Sequence, residues 1–275
     1  MQKKFYITTF ISVAIFVTAL IILTPYDLKI SENIYQKGIW IDQFLEVVGP
    51  AFMPFFVFYS TVSLMCLLKV KNKVGQIFIY IGLGFVYVYA FFMGCFTFKH
   101  SYCPVLFVPS IVIYVLFTVL VVLFNLKLFK QNDKTNTHLK ICFVILVICL
   151  TSLLLTDIIK LIFSRARYHE ILAGEATYHP WYYLTGRLVL NSSFPSGHVT
   201  RAGTALCFAC LFFYKQRKKV TLIIVEALAS IFTIVVGISR IIEGMHFATD
   251  VLTGYYLICL SYYLSKHFLL EKIKV

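Results

Sequence analysis

Val220–Asp250 reads VTLIIVEALASIFTIVVGISRIIEGMHFATD: an apolar run long enough to cross a bilayer, ending in a serine, an arginine, a histidine and an aspartate. The run predicts a transmembrane helix over about 220–238, and the polar tail places reactive groups where that helix leaves the membrane. The tail has the spacing Ser239-Arg240-x5-His246-x3-Asp250. If the chain is helical from Met245 onward, His246 and Asp250 sit one turn apart on one face. A carboxylate so placed can hold one imidazole nitrogen and leave the other aimed as a nucleophile or base. Arg240 adds a planar cation suited to phosphoryl oxygens.

Composition extends this reading to the whole chain. The 275 residues are 60% hydrophobic and 13% charged, with a mean hydropathy of +0.86; soluble domains carry about a quarter charged residues. A membrane domain fits in this length and a substantial soluble one does not. The net charge of +13 invites a nucleic-acid reading. The lysines cluster in short loops between apolar runs, which is the positive-inside bias, so nucleic acid is excluded as a partner. Cys66, Cys142, Cys149, Cys207, Cys210 and Cys259 fall inside apolar segments, and Cys103 has only Cys95 as a conceivable neighbour. Cys207-x-x-Cys210 lacks a second ligand pair, so it reads as packed helix and not as a zinc site.

The expected fold is all-α, a polytopic transmembrane bundle of about eight spans, roughly 5–24, 46–68, 75–97, 105–126, 141–163, 199–214, 220–238 and 247–265. Residues 1–140 form an N-terminal transmembrane region of about four spans, and 141–275 the half that carries the motifs. Segment 25–45, with Pro25, Asp27, Glu32, Trp40 and Asp42, is too polar to span and is expected as a short interfacial helix. With both termini cytoplasmic, the inside loops collect Lys3, Lys4, Lys69, Lys71, Lys73, Lys127, Lys130, Lys134, Lys140, the cluster Lys215, Arg217, Lys218 and Lys219, then Lys266, Lys272 and Lys274.

That topology brings Lys160, His198, Arg240 and the pair His246 and Asp250 to one outer face. Charges at a bilayer boundary cost a few kcal/mol unless paired or solvated, so a cluster of them is a functional hypothesis. Phosphoryl transfer needs an in-line nucleophile, an acid for the departing oxygen and positive charge around the equatorial oxygens. His246 held by Asp250 suits the first and His198 the second. Lys160, Arg167 and Arg240 suit the third, with the Ser196 hydroxyl and Gly197 N–H at a helix start. No cluster of carboxylates suits magnesium, so a mechanism without metal or other cofactor is expected. Arg201, one turn after His198, is a possible substrate contact: it can face the same cavity and bind a second phosphate or an anionic headgroup, or pair with Asp157 or Glu243. Asp157 reads as a counter-ion of Lys160, and Asn191-Ser192-Ser193 is formally a glycosylation acceptor, improbable beside such a site.

Lys160-x6-Arg167, Pro195-Ser196-Gly197-His198 and Ser239-Arg240-x5-His246-x3-Asp250 together resemble the three-part signature of the type 2 phosphatidic acid phosphatase (PAP2) family. The resemblance covers about 160 to 250. It implies a phosphohistidine at His246, a leaving-group proton from His198, and phosphate binding by Lys160, Arg167, Ser196, Gly197, His198 and Arg240. Two departures stand out. Tyr168 follows Arg167 where the family usually has proline, which predicts altered loop geometry with the chemistry kept. The first motif follows the fifth span where the family core has it after the third, so the extra N-terminal spans are expected to shape substrate or bind partners.

The expectation is therefore a cell-membrane phosphatase acting on a lipid phosphomonoester or diphosphate at the extracytoplasmic face. Its partners are the phosphorylated lipid and the membrane; nothing in the sequence sets an oligomeric state. Two alternatives remain: a lipid phosphotransferase using the same phosphoenzyme, and a non-catalytic lipid-phosphate-binding membrane protein. The abundance of Lys, Ile and Phe points to an AT-rich bacterial genome.

Overall fold

The structure is a computed structural model that describes residues 2–100, 107–128, 132–186, 192–213 and 219–270. Cys103, Asn191 and the basic positions 130, 215, 217, 218, 272 and 274 lie outside the described residues. Among the described residues there are eleven α-helices and no strand. They are α1 Gln2–Leu23, α2 Asp27–Ile34, α3 Trp40–Leu67, α4 Lys73–His100, α5 Phe107–Leu128 and α6 Asn132–Phe163, then α7 Tyr168–Leu172, α8 Gly197–Ala202, α9 Cys207–Phe213, α10 Lys219–Ile242 and α11 Ala248–Ser265.

Six described helices are long and apolar enough to cross a membrane: α1 with its continuation to Ile34, α3, α4, α5, α6 and α10. Their outer faces are apolar, with Phe10 at 75% and Phe85 at 74% exposure, as lipid contact requires. This is a multi-pass membrane protein with an all-helical bundle. The expected sixth and eighth spans are built differently. Residues 197–213 are helical throughout, but a 3₁₀ turn at Gly203–Leu206 interrupts them between α8 and α9. At ~1.5 Å per residue the segment reaches roughly 25 Å. Most of residues 197–212 are buried and none of these is exposed, so it is an inner helix shielded by others. The eighth, α11, carries Asp250 and four tyrosines among its apolar residues, and its inner face is buried too.

The bundle is organised around α3, which packs against α4, α5, α6, α8 and α10. Phe56 and Phe58 are fully buried there, and Phe208 of α9 meets Phe56 edge-on at 4.8 Å between centroids. Cys142, Cys149, Cys207 and Cys210 are fully buried free thiols in the same core. Helix α1 lies at the periphery, along α11, where Phe16 stacks on Tyr256 at 4.0 Å.

Segment 25–45 is more than the one short helix expected. It forms a 3₁₀ turn, Thr24–Tyr26, then α2, then the start of α3, and its acids turn inward: Asp27 is 0% and Asp42 1% exposed. The Asp27 carboxylate pairs there with the buried Arg165, while at Asp42 it is the backbone carbonyl that accepts from the buried Arg240. Trp40 stays 74% exposed.

Close approach at one end of α8 is made by a glycine. A Cβ on Gly254 of α11 would stand 2.5 Å from the Ser196 carbonyl oxygen, so only glycine lets α11 rest against the turn that starts α8. The Thr200 hydroxyl then donates to the Ser196 carbonyl at 3.1 Å and reaches the Gly254 carbonyl at 3.3 Å. The Thr156 hydroxyl of α6 donates to it at 3.1 Å.

Candidate active site

The site forms where α6, α8, α10 and α11 end or begin at one side of the bundle. Lys160 stands in the last turn of α6. Ser164 then takes a left-handed conformation (φ 42°), closing the helix with its own hydroxyl 3.3 Å from the Lys160 carbonyl. The Lys160 ammonium donates to the Ser192 carbonyl, and the gap left by Gly197 lies beside its side chain. Ser196 is the N-cap of α8, its hydroxyl accepting from the Val199 N–H at 3.4 Å.

At the other edge, α10 ends in a left-handed glycine, Gly244 (φ 72°). The chain reverses there, and the N–H groups of Met245 and His246 both donate to the Arg240 carbonyl, at 3.0 and 3.2 Å. His246 is thereby folded back over the end of its own helix. Its ring centroid lies 6.1 Å from that of His198.

The structure thus gathers residues from four separated segments. His198 has Arg240, His246, Arg201 and Arg167 as charged or titratable neighbours. Arg167 reaches the Met245 sulfur at 3.9 Å, and its backbone N–H is capped by Glu170 at 2.8 Å; Tyr168, in place of proline, is the first residue of α7. Arg201 also lines a narrow apolar cavity with Pro50, Met53 and Tyr89, and it is a charged neighbour of Asp157. Glu243 pairs with Arg240 at 2.7 Å. Arg240, fully buried, also donates to the Asp42 carbonyl at 2.6 Å and has Glu46 at 3.9 Å.

Asp250 and His246 stand at ion-pair distance, but not through the helical spacing expected. Helix α11 starts at Ala248 with Phe247 as its N-cap, so His246 lies outside the helix and the one-turn spacing does not apply to it. The Asp250 carboxylate accepts from the Phe247 N–H at 2.7 Å and from the Ser193 hydroxyl, and stands 3.8 Å from His246 Nδ1. What holds the ring is the Ser193 carbonyl, 2.7 Å from Nδ1. A carbonyl only accepts, so Nδ1 carries the proton and Nε2 keeps its lone pair.

Arg165, outside the sequence motifs, adds to the site. Arg165 is 3% exposed and donates through Nη1 to Asp250 at 2.7 Å and through Nη2 to Asp27 at 3.0 Å, with its guanidinium 4.0 Å over the Phe247 ring. A third cation between Lys160 and Arg167, at a membrane boundary, was the available signal for it. Among the described residues no three His, Cys, Asp or Glu converge to hold a metal ion.

Burial pushes the His246 imidazolium down to about 4, against the partial support of Asp250 and with Lys160 and Arg167 opposing the charge. Burial, then Arg240, His246, Arg201 and Arg167, hold His198, at the head of α8, well below its ordinary value. The site without substrate therefore keeps both rings neutral at neutral pH. For stability the sign follows from the lowered folded-state value. Between pH ~6.5 and about 4 the unfolded chain binds a proton at His246 that the folded chain refuses, so stability falls as pH drops through that window. Thermal unfolding in detergent from pH 7 to pH 4 reads this, and His246→Gln is expected to flatten the slope.

These features define a class: a multi-pass helical membrane protein with a buried, cationic, two-histidine site at one end of its bundle. Residues 138–274 match the model of the PAP2 superfamily, and through this half the chain belongs to that family. The chain is also similar to phosphatidylglycerophosphatase B of Bacillus subtilis (strain 168), 41% identical over 88 residues, which is 30% of this chain and 41% of that one. The match thus spans less than half of that relative's length. No solved structure matches.

Proposed function

We propose that this protein is a membrane phosphatase that hydrolyses a lipid phosphomonoester or diphosphate at the extracytoplasmic face, through a phosphohistidine at His246 and without a metal. The observation that carries the reading is the His246 ring, fixed by the Ser193 carbonyl with Nε2 unprotonated and His198 opposite at 6.1 Å. Family membership and the relative named a phosphatidylglycerophosphatase support the substrate class.

In the first step the Nε2 lone pair attacks phosphorus, the bond from phosphorus to the lipid oxygen breaks, and that oxygen takes a proton from His198. Water then attacks phosphorus as His198 recovers a proton from it, the P–N bond breaks, and orthophosphate leaves. Lys160, Arg167 and Arg240 hold the equatorial oxygens, with the Ser196 hydroxyl and the Gly197 N–H beside them. His198 starts neutral; the incoming phosphate charge offsets the surrounding arginines, so that the ring takes up from solvent, as substrate binds, the proton it then gives. Asp250 acts on His246 through Ser193. Arg201 meets a second phosphate or the headgroup, and the N-terminal helices shape the path of the lipid. The lysine-rich loops set the orientation: with the N-terminus inside, the site opens outside.

The test is phosphate release by the detergent-purified protein from phosphatidate, phosphatidylglycerophosphate and polyprenyl diphosphate, with EDTA present and with an acceptor lipid in a second arm. Release that survives EDTA is expected. Label appearing only in the acceptor lipid would replace hydrolysis by phosphotransfer, and no reaction in either arm would leave a binding protein. Arg201→Ala is expected to slow the diphosphate more than the monophosphates.

A further inference from the structure

Asp27 opens α2, in the part of the chain that precedes the family match at 138–274. Its carboxylate accepts from the Thr249 N–H at 2.9 Å, from the Thr249 hydroxyl, and from Arg165 Nη2 at 3.0 Å. It is 0% exposed, and an acid so buried is costly unless paired in this way. The pairing runs onward. Arg165 Nη1 donates to Asp250 at 2.7 Å and to the Thr249 hydroxyl at 3.0 Å, while Nε donates to the His179 carbonyl at 3.0 Å. The Arg165 carbonyl accepts from the Ser193 N–H at 2.7 Å. Ser193 is therefore held at both ends, by Arg165 and by Asp250, and its own carbonyl fixes His246 Nδ1.

The turn before Asp27 is anchored independently of this chain of contacts. The Trp181 indole N–H donates to Thr24 at 2.9 Å, and after α2 the Gln36 N–H donates to the Ile242 carbonyl at 2.8 Å. Helix α2 is thus tied to the loop before motif two and to the end of α10.

We propose that Asp27 is a positioning residue of the active site, acting through Arg165, Thr249 and Asp250 on the orientation and charge of His246. The proposal rests on His246 being the nucleophile. When Nε2 bonds to phosphorus, positive charge develops on a ring buried from solvent. Asp250 and Arg165 alone are neutral as a pair; an ionised Asp27 gives the three-residue cluster one net negative charge, and Asp250 is the member that stands by the ring. Asp27 touches no phosphate-binding residue, so its effect falls on the chemical step and not on substrate capture.

Asp27→Asn, which keeps the shape and removes the charge, is expected to lower kcat about ten-fold or more, equivalent to one unit of lost pKa support, with KM changed less than about three-fold. Rates are referred to active sites counted by the labelled phosphoenzyme burst, which removes the effect of any unfolded fraction. Asp27→Glu, which restores the charge, is expected to recover part of the loss. If Asp27→Asn yields no folded protein, Thr249→Val cuts the two hydrogen bonds of the Thr249 hydroxyl, to Asp27 and from Arg165, at constant charge and is read in the same way, with a smaller fall in kcat. An unchanged kcat per site, or a raised KM at unchanged kcat, overturns the proposal. If the wild type hydrolyses no lipid, the phosphatase reading fails, and the positioning claim is judged by ¹⁵N-histidine spectra. A mixed His246 tautomer in Asp27→Asn supports it, and an unaltered Nδ1–H tautomer overturns it.

Discussion

Replacing Arg165 by methionine is expected to destabilise the protein by roughly 3–5 kcal/mol, the usual loss when one partner of a buried ion pair is removed and the other charge is stranded. Here two carboxylates, Asp27 and Asp250, are stranded at once, and both are 0% exposed. Against a total stability of about 5–15 kcal/mol this is a large fraction, so the variant should melt many degrees below the wild type in detergent. Arg165→Lys should recover only part of it. An ammonium keeps the charge but cannot span two carboxylates, the Thr249 hydroxyl and the His179 carbonyl from one planar fork. A melting temperature close to wild type in Arg165→Met would mean that the cluster is wetter and looser than its geometry implies.

His246→Gln should leave a folded, phosphate-binding protein that has lost at least about a thousand-fold in turnover, the scale on which removing a nucleophile acts. Lys160, Arg167 and Arg240 remain, so inhibition by orthophosphate should persist. Retained binding with lost turnover separates a chemical role for His246 from a structural one. Parallel loss of both would make the ring a strut of the site.

Much of the candidate site was legible in the sequence because it is built of residue types that a membrane tolerates only with a purpose. Lys160, His198, Arg240 and His246 are polar interruptions at the ends of apolar runs, and a topology counted from lysines brings them to one side. Two things were not legible. The i,i+4 spacing of His246 and Asp250 assumed a helix that includes both, but Gly244 folds the chain back and α11 begins at Ala248. Asp250 therefore caps its own helix through the Phe247 N–H, and a backbone carbonyl, invisible to any motif, orients the ring. The second was Asp27. Polarity in segment 25–45 was read as a sign of the interface, whereas its partner stands 138 positions away on Arg165. Pairing across that distance leaves no local pattern. The same reason hid the burial of residues 197–212: their apolarity fits lipid and protein surroundings equally well, and only the packing of α3, α6, α10 and α11 around them decides.

The central claim is the covalent intermediate, and it has a direct measurement. Protein is mixed with lipid carrying ³²P in the phosphate that leaves, quenched in alkali within one turnover, digested, and the labelled peptide is sequenced. The account predicts a label that is stable to base and lost in acid, located on His246, and absent from His246→Gln. Release of phosphate at full rate with no label on the protein, or a label on any other residue, would contradict it.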